Sequence, residues 1–303
     1  STGGVLESVV NEFVLEGEDA HVVTLKARVG ILHADLSVGA NVVQSKSLVA
    51  NEGIAVKGFE LGSQGFLVNK EVGQNWLTKN PQLSTYLKPY MNGSDLVRGI
   101  SNRFVIDFFG LEQNSAREVP ELYQQLYDHV LPERSVNNET RTANNWWLFR
   151  RSGEKIRGAI ADVRRFIGTT RTSKHRIFQF LDKTLIAESK IVIISLDDAV
   201  NLGILSSRIH SYWSLVSGGW LGVGNDSTYN HLDCFNKFPF PDLAESQAIT
   251  IRQLAEKIDE HRKRQQSSNP NLTLTAVYNV IEKLHGHVPL AAKERDIHEN
   301  NHR

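Results

Sequence analysis

The run Phe238-Pro239-Phe240-Pro241 constrains the fold of this chain more than any other stretch. Proline lacks an amide hydrogen and fixes φ, so two prolines one residue apart disfavour both a helix and a central strand. The run therefore divides the chain. Before it, short β-branched segments alternate with amphipathic ones. After Asp242, Ile249, Leu254 and Ile258 are interleaved with charged residues, which predicts an amphipathic helix to about Arg264. The pattern predicts a mixed α/β (α+β) fold in which sheet and helices share one domain, followed by a small helical C-terminal region.

Local signals fill in the first part. Residues 5–45 read as strand-rich, with Val22–Val29 β-branched and partly alternating. Gly53, Gly58, Gly62 and Gly65 predict turns or close backbone approach, most sharply at Gly62-Ser63-Gln64-Gly65-Phe66. Lys88-Pro89-Tyr90 to Asp95 reads as a turn with a helix start, and Arg103–Phe108 as a strand. Pro120 opens a helix with Leu122, Leu126 and Val130 on one face. Trp146 to Arg165 reads as partly helical, and Phe178–Leu181 and Lys190–Ser195 as strands. Asp197 or Asp198 caps a helix carrying Leu202, Leu205, Ile209 and Trp213, which Gly218-Gly219 ends. A loop Gly222–Asp226 follows. Beyond the proline run, Gln265–Pro270 reads as a polar linker, Leu272–Leu284 as a short helix, and His285–Arg303 as a polar tail.

Charge supplies the first functional signal. The chain has 34 Lys and Arg against 34 Asp and Glu, so a local excess is a concentration and not a trend. Such an excess lies between Arg141 and Arg176, where only Glu154 and Asp162 are acidic, and it ends in Arg171-Thr172-Ser173-Lys174-His175-Arg176. Arg and Lys hold phosphates, and both can also read base edges, as can Ser and Thr. The tract is thus either a polyanion reader or a solvated helix face, since Arg157–Arg165 also fits helical spacing. Cys234 is the single cysteine, which excludes an intramolecular disulfide and a thiolate zinc cluster and fits a cytoplasmic location. The longest apolar run, Ile191-Val192-Ile193-Ile194, has the length of a strand and cannot cross a bilayer.

Catalytic motifs are weak. Gly222-Val223-Gly224 lacks the preceding strand and following helix of a dinucleotide loop. Asn80-Pro81-Gln82 lacks the second proline and the aromatic that an amino-methyltransferase uses around its extruded base, so it reads as a turn. Asp197-Asp198 fits a helix cap better than a metal site, and Ser206-Ser207 with His210 fits packing and capping better than a hydrolase. No catalytic residue and no metal ligand is assigned.

Taken in order, several segments carry a family resemblance: Gly-Ser-Gln-Gly-Phe (62–66), Lys-Pro-Tyr to Gly-Ser-Asp (88–95), Val-Ile-Asp-Phe (105–108), Trp-Trp to Arg (146–150), Thr-Ser-Lys-His-Arg (172–176), Gly-Ile-Leu-Ser-Ser-Arg-Ile-His (203–210) and Cys-Phe to Phe-Pro-Phe-Pro (234–241). The chain resembles the C-terminal part of the MmeI-like, type IIL/IIG adenine-specific DNA methyltransferases of restriction–modification systems. The resemblance implies a strand-rich connector at 1–50 leaving an upstream methyltransferase domain, a target-recognition domain at 51–242, and a helical C-terminal region at 243–303. It implies double-stranded DNA and that upstream domain as partners. It further implies S-adenosylmethionine in the parent protein and no cofactor in this chain, whose own residues are not catalytic. By the same resemblance Arg171, Thr172, Ser173, Lys174, His175 and Arg176 read bases. Ser63, Gln64, Arg150, Arg151, Arg157, Asn225, Asp226 and Tyr229 are expected to contact the DNA backbone or to form the loops beside it. A different class stays open: a scaffold whose helices 243–264 and 272–284 dock another subunit.

Overall fold

The computed structural model describes residues 3–14, 21–31, 44–136, 139–221 and 226–301. The chain forms two compact units, Ser1–Lys46 and Ser47–Arg303. The first is an antiparallel hairpin of β1 (Gly3–Val14) and β2 (His21–Ile31), whose register shifts between Val9 and Asn11. It contains the strand expected at Val22–Val29.

The second unit holds three sheets of three or four strands. Its strands are β3 (Ala55–Lys57), β4 (Leu67–Asn69), β5 (Leu87–Met91), β6 (Arg103–Ile106), β7 (Arg165–Thr170), β8 (Thr172–Ser173), β9 (Phe178–Asp182), β10 (Ile186–Ala187), β11 (Ile191–Ile194), β12 (Trp220–Leu221) and β13 (Asp226–Thr228). One sheet has the order β10-β5-β6-β4, a second β3-β11-β7-β9, and the third β12-β13-β8. Sheet and helix share this unit, as a mixed α/β architecture requires.

The second sheet organises the unit because both its faces are covered. Successive strand residues point to opposite faces. Ile191 and Ile193 of β11 therefore enter one apolar cluster, with Phe166, Phe59 and Trp146, while Val192 and Ile194 enter another, with Ile167, Phe178 and Phe235. This double burial is why Ile191–Ile194 is apolar without alternation. Lys88–Tyr90, expected as a turn, is instead part of β5. The strand β10 reaches only Tyr90 and Met91, so Pro89 costs the sheet little pairing. Asn92 and Asp95 then form a reciprocal capping box that starts the helix Gly93–Arg98.

The single helix expected after Asp198 is two. Asp198 Oδ1 accepts from Val200 N at 2.9 Å and starts Ala199–Leu205, and Ser207 Oγ accepts from His210 N and starts Arg208–Ser217. The Ser206-Ser207 pair is a helix break, since a short hydroxyl side chain there satisfies an otherwise unpaired amide.

Gln265–Pro270 is mostly not a linker, because the helix Glu245–Ser268 runs through it for 24 residues. Its inner face explains the continuation. The strand β9 ends its sheet and would leave backbone groups open. Asp259 accepts from Phe180 N at 3.1 Å, and Arg262 donates to Phe178 O at 2.9 Å. Gln266, one turn further on, donates to Val97 O at 2.9 Å, beyond the sheet. The long helix thus closes that edge with side chains. Replacing Asp259 by Ala should leave a buried amide unpaired and cost about 2 kcal/mol, read as a lower thermal midpoint. An unchanged midpoint would show that the edge is not closed by Asp259. Two further helices follow, Leu274–His285 and Ala292–Asn301, so much of the polar tail is helical. No helix of the described residues is long and apolar enough to cross a membrane.

Candidate nucleic-acid interface

The tract 171–176 is a strand with a turn at its end. Thr172 and Ser173 form β8, and Ser173 Oγ donates to His175 O at 2.7 Å, closing the turn. The strand β8 pairs with β13 in the register Ser227↔Ser173 and Thr228↔Thr172. Continuing that register sets Asp226 across from Lys174. Alternation sends Ser227 inward and leaves Asp226 exposed and Thr228 half-buried on the other face.

Arg176, expected at a base edge, is turned inward and is 8% exposed. Its Nη2 donates to Ser227 Oγ at 2.7 Å, and Ser227 Oγ donates to Ser173 O at 3.1 Å. Its guanidinium lies 5.5 Å from the Tyr229 ring centroid, and burial lowers its pKa. Nε and Nη1 have no partner among the described residues. Arg176 thus ties β8 to β13 from beneath. Tyr229 is also fully buried, which raises its pKa, and its hydroxyl lies 3.2 Å from His210 Nε2. A carbonyl only accepts, so His210 donates from Nδ1 to Leu205 O at 2.9 Å, and its Nε2 accepts from Tyr229.

Above this support lies a groove of about 960 Å³. It is lined by the helix Gly93–Arg98, by Thr170–Lys174, by Lys190, by Asp226 and Thr228, and by Thr273 and Thr275 at the start of the helix Leu274–His285. Four cations, Arg98, Arg171, Lys174 and Lys190, face one carboxylate, Asp226. Side-chain ion pairs with Arg98, Arg171 or Lys190 are absent among the described residues. Lys174 is different: Nζ lies 2.7 Å from Glu282 Oε2 and 3.0 Å from Asn279 Oδ1. The same Asn279 oxygen accepts from His175 Nε2 at 2.8 Å, and the Tyr278 ring lies 5.8 Å from that of His175. Thr273 and Thr275 bring the positive end of a helix to the groove, which adds to its attraction for anions.

The structure brings together Arg171, Thr172, Ser173, Lys174 and Asp226 at this groove, and the buried Tyr229 beneath them lines it too. Asn225 lies outside the described residues. The remaining predicted contacts fall elsewhere. Ser63 is buried, donates to Glu133 and accepts from Gly65 N at 3.0 Å, while Gln64 is exposed. Gly62 has φ +77°, and a Cβ there would meet Arg150 Cβ at 2.6 Å, so glycine allows the loop to pack closely. Arg157 forms a two-pronged pair with Asp107 at 2.7 and 2.9 Å, with its guanidinium 4.1 Å from the Phe109 ring centroid and 4.9 Å from that of Phe59. Arg150 bridges Glu60 and Glu139, and Arg151, 77% exposed, lies 3.3 Å from Glu60. None of these lines the groove. Arg98, Lys190 and Glu282 stand in the sequence with no functional motif around them, and Asn279 enters only within Val277-Tyr278-Asn279-Val280, a segment that fits the family's C-terminal part. Among the described residues no cluster of three or more His, Cys, Asp or Glu could hold a metal ion.

Fold and groove together define a mixed α/β domain with a basic channel floored by a short strand pair. A family profile described as "MmeI, target recognition domain" matches residues 41–242, and the chain belongs to that family. No curated protein matches the chain. A solved structure of the type IIL restriction-modification enzyme MmeI in complex with DNA is similar in fold, with a TM-score of 0.63 and 18% identity. The match covers 92% of this chain and 36% of that one, so the chain spans about a third of its length.

Proposed function

We propose that this chain recognises a short sequence in double-stranded DNA for a site-specific adenine methyltransferase of a restriction–modification system. The observation that carries the reading is the groove itself: four cations against one carboxylate, with threonine hydroxyls beside them on a strand pair. Phosphate contacts position a protein on DNA, and base-edge contacts specify sequence. On this reading Arg98 and Lys190 hold phosphates at the groove's sides. Arg171, Thr172, Lys174, Asp226 and Thr228 face base edges, with Asp226 suited to accept from the cytosine amino group. Arg176 and Tyr229 support them from below. Membership of the target-recognition family supports the same assignment. Methyl transfer would belong to an upstream domain of the same polypeptide. That domain would bind S-adenosylmethionine and act on an adenine turned out of the duplex.

Selection from randomised duplex DNA at low salt tests the reading. An enriched short motif containing adenine supports it, whereas retention without enrichment reduces the groove to a basic surface. Arg98→Ala and Lys190→Ala should each weaken all sequences alike and lower the salt slope by about 1. Thr172→Val and Asp226→Ala should relax preference at particular base pairs, each by about 1–3 kcal/mol. Identical behaviour of the four variants would overturn the division between phosphate and base contacts.

A protein-docking reading has its own observation. Leu254, Ile258, Ile281 and Leu284 line an apolar groove of about 790 Å³ between the long helix and Leu274–His285. Failure of the chain to retain any duplex would favour this second reading.

A further inference from the structure

Lys174 is the groove cation with a carboxylate against it, and that carboxylate comes from outside the segment matched by the recognition-domain family. Glu282 and Asn279 stand three residues apart on one face of the helix Leu274–His285. Together they hold Nζ at 2.7 and 3.0 Å. The contact lowers the Glu282 pKa, so the carboxylate is charged at neutral pH. Asn279 also holds the neighbouring His175, which fixes the backbone that carries Lys174. The two side chains of the ion pair are half-exposed or more, so the pair can open without unfolding anything.

We propose that Glu282 and Asn279 determine specificity by occupying Lys174. Glu282 takes the place a DNA phosphate would take, and keeps the lysine from gripping any duplex that enters the groove. A lysine is a flexible, hydrated point charge and finds a phosphate readily on any sequence. Such a contact adds affinity without information. The ammonium has three N–H donors and Glu282 and Asn279 engage two of them, so the held Lys174 keeps one donor for a base edge within its reach but must leave Glu282 to follow a phosphate. The helical region is then part of the reading apparatus. This inference rests on the DNA-recognition reading above.

The test uses this chain with Glu282→Gln, Lys174→Met and the double variant. Binding is measured to the selected duplex and to a scrambled one over a salt series. Glu282→Gln should bind scrambled duplex about three- to fivefold more tightly, the range of a surface pair. Its salt slope should steepen by about 0.9, one added phosphate contact. Binding to the selected duplex should change less than twofold, so discrimination falls by about three- to fivefold, the same surface-pair range. In the Lys174→Met background the Glu282→Gln change should have no effect. An equal gain there would mean that Glu282 repels DNA generally, and would overturn the inference while leaving DNA recognition intact. No gain in either background would overturn it equally. Failure of the unmodified chain to bind any duplex would overturn the recognition reading and this inference together.

Discussion

Replacing Arg157 by alanine is expected to destabilise the protein strongly and not to loosen its hold on DNA. The basic tract of the sequence suggests a phosphate clamp at this position, but the structure shows a closed ion pair. Asp107 is 5% exposed at its side chain and receives two hydrogen bonds from one guanidinium nitrogen. Phe59 and Phe109 lie within 5 Å of the guanidinium carbon. A carboxylate in such a place is tolerable only while its partner stays. Removing the partner of a buried pair costs about 3–5 kcal/mol, because the remaining charge is stranded. Arg157→Ala should therefore move the chemical-denaturation midpoint strongly. The part that remains folded should bind DNA with an unchanged salt slope. Arg157→Met with Asp107→Leu should recover most of the loss, since it removes both charges and keeps the volume. Normal stability of Arg157→Ala, with a salt slope reduced by about 1, would restore the phosphate clamp.

That contrast shows where sequence reading stops. A run of arginines tells how much charge a segment carries, and nothing about what lies against it. Arg150, Arg151 and Arg157 all meet carboxylates brought from elsewhere in the chain: Glu60, Glu139 and Asp107. The groove cations Arg98 and Lys190 come from positions with no local excess of charge. They are assembled by the helix after Asn92 and by the start of β11. Each of these meetings depends on tertiary packing, which a local window does not contain.

Several short-range signals are legible in the sequence. The capping of Asp198, the helix start at Pro120 and the strand at Ile191–Ile194 follow from short-range chemistry, and each is present. The Asn80-Pro81 turn is present too, with Asn80 Oδ1 accepting from Gln82 N at 3.2 Å. Elsewhere a distant partner overrides the local pattern, and at Ser207 a local cap splits one apolar pattern into two helices. Gln265 and Gln266 look like linker residues, but both are buried and Gln266 donates to Val97 O. Arg176 looks like a reader because it ends a run of basic and hydroxyl residues. Strand alternation, applied from Thr172 onward, does not fix its direction, because β8 ends at Ser173 and a turn intervenes. The family resemblance identified the right domain, and the positions of its individual side chains needed the fold.

The second large effect is a loss of stability between pH 6.5 and 4 that depends on His210. This imidazole has no exposed surface and packs against Phe178, Tyr229 and Phe238. Burial pushes its pKa down from 6.5 to about 4. A histidine whose folded pKa lies below its unfolded value is held neutral by the fold. The unfolded chain then binds the extra proton first as pH falls. The stability this provides is complete above pH 6.5, declines through the interval, and is exhausted below pH 4. The linkage amounts to about 3 kcal/mol, each tenfold change in proton affinity being worth about 1.4. His210→Gln should be less stable at pH 7, having lost its fit to Leu205 O and Tyr229, and should lose less on acidification. Thermal or denaturant unfolding at pH 7, 6, 5 and 4 measures both. The same acid sensitivity in the variant would assign the effect to other groups. The site should respond at the lower end of this interval, near pH 4, where the folded imidazole itself takes the proton. His210 holds the Tyr229 hydroxyl, and Tyr229 directly follows β13, which carries Asp226 and Thr228 into the groove. A proton on Nε2 removes the acceptor that Tyr229 needs, so the β13 segment should loosen. Sequence discrimination by the protein that is still folded should therefore fall near pH 4. Discrimination that persists undiminished in folded protein below pH 4 would separate His210 from the groove.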